Sequence, residues 1–137
     1  MLDFDHVGVS VADLDAMLPF YCDGLDLELE FQFEIPEQDI RAVFLRNAHG
    51  FGVELLERTG SSGGLRASDH HDAILTRGYG HMCLRVDDLE AAHQKLLDVG
   101  ASTVSAPGPA PGAGVRFAYL SDPEGNLIEL IQFPDHG

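Results

Sequence analysis

Two histidines and two glutamates recur at one spacing. His6 and His81 stand 75 residues apart, as do Glu54 and Glu129, so each histidine precedes its glutamate by 48 residues. Each of the four lies in or beside an apolar run: His6 before Val7, Val9 and Val11, Glu54 between Val53 and Leu55, His81 before Met82 and Leu84, and Glu129 between Ile128 and Leu130. An unpaired carboxylate taken out of water costs several kcal/mol or shifts its pKa strongly. Two of them at repeated positions need a common partner. A divalent cation is the simplest: two carboxylates balance its charge and two neutral imidazoles complete the donor set. His6, Glu54, His81 and Glu129 are therefore the candidate metal ligands. Two nitrogen and two oxygen donors suit a borderline ion, namely Zn, Ni, Co, Mn or Fe(II). If waters fill the rest of the shell, two positions stay exchangeable for substrate. The competing reading is two separate His–Glu hydrogen-bonded pairs left by a duplication.

The elements that must carry these residues repeat with them. His6-Val7-Gly8-Val9-Ser10-Val11-Ala12-Asp13-Leu14 falls on His81-Met82-Cys83-Leu84-Arg85-Val86-Asp87-Asp88-Leu89, and Val53-Glu54-Leu55-Leu56 falls on Ile128-Glu129-Leu130-Ile131, without a gap. A match at both ends of a stretch this long marks a tandem duplication. Module one spans 1–57, a linker 58–77, and module two 78–137. Each module reads strand, helix, then three strands. In the first, residues 4–11 alternate as a strand. Asp13 caps a helix running to about 23, Gly24 stops it and Pro19 kinks it. Residues 25–35 alternate strictly and predict a half-buried strand with its acids outward. Residues 40–45 and 51–57 form a hairpin around Asn47-Ala48-His49-Gly50. In the second module, 80–86 is a strand, Asp88 caps a helix ending at Gly100, and 102–105 is a short strand. A Pro/Gly stretch at 107–114 replaces the longer strand and turn of module one. Residues 115–120 and 126–133 close a hairpin around Ser121-Asp122-Pro123-Glu124-Gly125. The Gly/Ser-rich start of the linker, 59–64, predicts a flexible loop.

Each module would form a four-stranded sheet with a helix on one face, an α+β architecture. Two such sheets, paired within a chain or across a dimer, would enclose a concave space. Alternation places His6, Gly8 and Ser10 on the face away from the helix, with His81, Cys83 and Arg85 at the repeated positions. Glu54 and Glu129 share that face. Arg85, two pleats from His81, is the candidate to hold an anionic substrate group, with a salt bridge to one of the many acids as the alternative. His70-His71 in the linker is a candidate to cap the cavity. His49, His93 and His136 read as solvated. Cys83 reads as a small inward filler rather than a nucleophile.

Composition bounds the rest. The chain has 137 residues and a net charge of −15, with 23 acids against Lys95 and seven arginines. That field repels polyanions, which excludes nucleic acid and disfavours anionic membrane surfaces. No apolar run reaches the roughly 20 residues of a membrane span. The acidic N-terminus does not resemble a signal peptide, and two cysteines, Cys22 and Cys83, do not make a disulfide framework. These features point to a cytoplasmic protein, and the exchangeable positions of the candidate metal site point to a small-molecule substrate.

The motifs Asp5-His6-Val7-Gly8-Val9, Gly80-His81-Met82 and Asp122-Pro123-Glu124-Gly125-Asn126-Leu127-Ile128-Glu129-Leu130 resemble those of the vicinal oxygen chelate superfamily. That superfamily includes glyoxalase I, methylmalonyl-CoA epimerase, the extradiol dioxygenases and the bleomycin- and fosfomycin-resistance proteins. The resemblance runs from about residue 4 to 133. It implies tandem βαβββ modules forming an open, eight-stranded barrel-like sheet around one divalent metal. It also implies a homodimer, with His6, Glu54, His81 and Glu129 at the four ligand positions. Glutamate at both acid positions is similar to glyoxalase I, whereas the dioxygenases use one glutamate and the epimerase usually a glutamine. The arginine that glyoxalase I generally carries on its first strand has no counterpart in Gly8-Val9-Ser10-Val11. No basic cluster awaits glutathione or coenzyme A.

The expected chemistry is that of a glyoxalase-like lyase or isomerase. A substrate with two neighbouring oxygens chelates the metal, which stabilises developing negative charge. A glutamate then moves a proton between adjacent carbons. The resemblance favours Glu129 for that role, with Glu54 as its twin. The alternatives are an extradiol-type ring-cleaving dioxygenase, a methylmalonyl-CoA-epimerase-like enzyme and a non-catalytic drug-binding resistance protein.

Overall fold

The computed structural model describes residues 1–135. His136 lies outside them. The chain divides into two compact units, Met1–Gly63 and Gly64–Gly137. No helix among the described residues is long and apolar enough to cross a membrane.

In the first unit, β1 (His6–Val11) is followed by α1 (Leu14–Pro19). The Asp13 carboxylate caps α1 by accepting from the Ala16 backbone N–H at 3.0 Å. Glu57 adds a second cap from the far end of the chain segment, taking the Leu14 N–H at 2.8 Å. The helix does not run on as one α-helix to residue 23. At Pro19 it widens into a π-helical turn, Phe20–Gly24. Proline lacks an N–H and its ring crowds the preceding turn, so a change of winding there avoids the clash.

Then come β2 (Glu28–Ile35), β3 (Ile40–Arg46) and β4 (Gly52–Arg58). The sheet order is β1-β4-β3-β2, with β1 parallel to β4 and the other pairs antiparallel. Val43, Leu45, Val53 and Leu55 face the helix and are buried with Leu14, Met17, Phe20 and Tyr21. Strand β2 corrects an expectation. It is an exposed edge strand rather than a half-buried one, with Leu29 55% and Phe31 51% exposed. A register shift between Leu29 and Phe31 also breaks the strict alternation.

The second unit repeats this plan. It contains α2 (His70–Ala73), β5 (His81–Arg85), α3 (Leu89–Asp98), β6 (Ser102–Pro109), β7 (Arg116–Ser121) and β8 (Leu127–Gln132). The sheet order is β5-β8-β7-β6. Asp88 caps α3 through the Ala91 N–H, and Gln132 takes the Leu89 N–H at 2.7 Å, as Glu57 does for Leu14. Strand β6 continues through Pro107 to Pro109 with two register shifts. The Pro/Gly stretch therefore begins within a strand, not after one. Prolines are tolerated there because β6 is at the sheet edge. The linker is not loop throughout: its short helix α2 is capped by Asp69, whose carboxylate takes the Asp72 N–H at 2.7 Å. The architecture is thus α+β, two βαβββ modules with an open four-stranded sheet in each.

Candidate active site

The sheet face turned away from α1 or α3 carries the candidate residues of each unit, because side chains alternate along a strand. In the first unit Gly8 on β1 is paired with Glu54 on β4, and Phe44 on β3 faces Glu54 from the other side. His6 Nε2 comes to 3.7 Å from Glu54 Oε1. The other ring nitrogen, Nδ1, donates to Asp5 Oδ2 at 2.8 Å. Arg46 in turn holds Asp5 Oδ2 at 3.2 Å. The hydrogen bonds from His6 and Arg46 keep the Asp5 carboxyl below the usual carboxylate range. A carboxylate on Nδ1 fixes the imidazole tautomer that leaves the Nε2 lone pair open, which is the usual support of a metal-ligating histidine.

In the second unit Cys83 is paired with Glu129, and Tyr119 faces Glu129 from β7. His81 Nε2 lies 3.1 Å from Glu129 Oε1. The Tyr119 hydroxyl donates to the same oxygen at 3.2 Å and lies 3.3 Å from His81 Nε2. Desolvation, with the charge and hydrogen bond of Glu129, pushes the Tyr119 phenol up to about 12. The same causes push the Cys83 thiol up to about 12. Cys83 is exposed as a residue, yet its sulfur lies against enough protein to disfavour a thiolate. Both groups therefore stay protonated and act as donors. One premise of the sequence reading is corrected: a carboxylate, Glu129, does stand beside Cys83 as its cross-strand neighbour.

The carboxylates are not fully buried: the Glu54 and Glu129 side chains are 21% and 17% exposed. Each unit presents one imidazole nitrogen and one carboxylate, and no group of three or more His, Cys, Asp or Glu ready to hold a metal occurs among the described residues. One imidazole nitrogen and one carboxylate are donors of the kinds that divalent ions accept, and in each unit the Nε2 atom is turned toward its own unit's carboxylate oxygen.

Arg85 lies on the face expected of it. Its guanidinium carbon stands 4.4 Å above the Phe133 ring, a cation–π contact. His70 comes in from the linker. Its ring stacks on Tyr119 with centroids 5.1 Å apart and planes 12° apart, and its Nδ1 lies 2.7 Å from Ser105 Oγ. His71 lies against His70. His93 is tied to Thr103 at 2.9 Å.

Three site residues were not anticipated: Asp5, Tyr119 and the Arg46 that holds Asp5. Tyr119 carried a signal, since it falls 75 residues after Phe44, an aromatic at the same place in the duplicated unit. Both aromatics meet their histidine edge to face, at 4.5 Å for His6–Phe44 and 5.0 Å for His81–Tyr119.

The family described as Glyoxalase/Bleomycin resistance protein/Dioxygenase superfamily matches residues 3–130. A probable lactoylglutathione lyase of Synechocystis is 34% identical over 131 residues, covering 93% of this chain and 92% of that protein. The lactoylglutathione lyase of Haemophilus influenzae is 31% identical, covering 93% of this chain and 90% of its own length. The crystal structure of maize glyoxalase I is similar at a TM-score of 0.76 and 25% identity, over 96% of this chain. The chain spans 44% of the maize protein, less than half its length. The chain belongs to the Glyoxalase/Bleomycin resistance protein/Dioxygenase superfamily and is a glyoxalase-I-like enzyme within it.

Proposed function

We propose that the protein is a divalent-metal-dependent lyase/isomerase of the glyoxalase I type, with His6, Glu54, His81 and Glu129 holding one ion. The observation that carries this reading is the twice-repeated approach of an imidazole Nε2 to a carboxylate Oε1 on the sheet face turned away from α1 or α3. The family and its lactoylglutathione lyase members support it. A lactoyl thioester and the hemithioacetal of a 2-oxoaldehyde are isomers. They differ by one proton moved between adjacent carbons and one moved between the oxygens those carbons bear, so this is the substrate class.

The bound ion would supply Lewis acidity to the two neighbouring oxygens and make the adjacent C–H more acidic. Asp5 holds the His6 ring in the ligating tautomer. Glu129 takes the proton from the first carbon and returns it to the second, as general base and then general acid. Glu54 stands at the equivalent place in the other module. Arg85 holds an anionic part of the substrate, steadied by the Phe133 ring. We extend the reading to a cytoplasmic homodimer, which sedimentation velocity tests.

Elemental analysis of the purified protein, followed by assay of the loaded enzyme with methylglyoxal and glutathione, tests the function. One equivalent of a divalent metal and thioester formation are the expected outcome. E129Q lowers turnover by about 10²- to 10⁴-fold while metal stays bound. Near-native turnover in E129Q would sink the assignment of the base.

A further inference from the structure

The two modules repeat the ligands but not what surrounds them. Glu129 is flanked by the Tyr119 hydroxyl, a donor 3.2 Å from Oε1, and by Cys83, its cross-strand neighbour on β5, which carries a thiol. At the repeated positions Glu54 is flanked by Phe44 and Gly8, which carry no side-chain donor. Space is not the reason for the glycine. A Cβ on Gly8 would lie 3.9 Å from Glu54 Oε1, an ordinary contact. Tyr119 is itself held from behind, because the His70 ring stacks on it and His70 is tied to Ser105.

Resting on the function proposed above, we infer that Tyr119, assisted by Cys83, is a positioning residue that gives Glu129 a second resting place and so selects it as the carboxylate that moves. A carboxylate that leaves a metal ion to act as a base must find other hydrogen-bond donors, or the departure leaves a charge poorly solvated. Glu129 has such donors on its own sheet. Tyr119 binds Oε1, which leaves Oε2 to face the substrate. Glu54 has no such donor beside it on its own sheet among the described residues and would stay a ligand. The proton balance is simple: the C–H bond at the hydroxyl-bearing carbon breaks and its proton goes to Glu129. The electron pair stays on the substrate, the hydroxyl proton passes between the two oxygens, and Glu129 delivers its proton to the neighbouring carbon. Tyr119 keeps its own proton throughout.

The test compares Y119F and C83A with the native holoenzyme, and titrates each apoprotein with Zn²⁺ against a competing chelator. In Y119F kcat falls roughly tenfold to hundredfold with KM within about threefold. Its Zn²⁺ affinity is unchanged or a few-fold tighter, because a competing partner of Glu129 has been removed. C83A shows the same pattern with a smaller loss. Weaker Zn²⁺ binding in Y119F, or a native kcat, overturns the inference. If Y119F does not fold, as read by circular dichroism, C83A carries the test alone. E129Q and E54Q are assayed alongside. A dispensable Glu129 overturns the reading beneath this one. An essential Glu129 with a native Y119F overturns this inference only.

Discussion

Each proposed ligand is useful only with the groups that orient it. His6 is supported by Asp5, and Asp5 by Arg46. His81 has Gly80 before it in the chain and so lacks the equivalent carboxylate. The first histidine is thus the better prepared of the two. Asp5→Asn keeps the volume but replaces a charged acceptor, and it should weaken metal binding about 10- to 100-fold, measured by chelator competition on the apoprotein. An unchanged affinity would remove Asp5 from the site. Asp122 acts on structure rather than chemistry. Only 2% exposed, it accepts from the N–H groups of Glu124 and Asn126 and from the Asn126 side chain. Asp122→Ala leaves these donors unpaired and should cost about 1–3 kcal/mol or more in urea unfolding.

At the level of the element, the sheet places the ligands and the helix keeps the sheet in register. A side chain at the end of the strand reaches back to the helix start in both modules: Glu57, next to last in β4, to Leu14, and Gln132, last in β8, to Leu89. These bonds tie the strand carrying Glu54 or Glu129 to the helix that follows the strand carrying His6 or His81. The Asp13 and Asp88 caps serve the same helix starts. Asp13→Ala and Asp88→Ala should each lower stability by about 1 kcal/mol. Asp88→Ala is expected to leave Zn²⁺ affinity within about twofold, since α3 packs on the face opposite Glu129. A large loss of affinity would show that the helix start also sets the site geometry.

For the whole molecule, charge is the governing property. The formal −15 becomes about −13 when one divalent ion binds. Among the described residues few ion pairs offset it: Arg41 with Asp15, Arg46 with Asp5 and Glu30, and Arg116 with Glu90 are the principal ones, at exposed or half-exposed positions. Raising salt from about 10 to 150 mM shortens the screening length from roughly 30 to 8 Å. The apoprotein's Tm should rise over that range, and a flat or falling Tm would argue against self-repulsion. Metal at about 100 times its Kd adds roughly 2.7 kcal/mol by linkage. Removing it with a chelator should therefore lower Tm by several degrees in a scanning fluorimetry experiment. No shift would mean that no metal was bound to the native state.

The reach of sequence and the need for tertiary structure separate cleanly at particular residues. Alternation of Val7, Val9 and Val11 assigns His6 and Gly8 to one face, because a strand's side-chain period is two and purely local. The caps at Asp13 and Asp88 and the hairpin turns at Asn47 and Asp122 are equally local. The 75-residue repeat joined the four metal-site candidates without any coordinates. What periodicity could not say was whether a face is covered. Strand β2 has the pattern of a half-buried strand, yet Leu29 and Phe31 lie at an exposed edge. Nor could it find Tyr119, whose aromatic ring reads as ordinary strand composition. Its meaning comes from a hydroxyl 3.2 Å from a carboxylate across a hairpin and 3.3 Å from a histidine on another strand. Sequence alone determined the duplicated framework and the types of the proposed ligands, because those follow from local geometry and from repetition. The tertiary structure alone decided that the two glutamates are unequal, because hydrogen-bond donors around a carboxylate are set by which strands lie side by side.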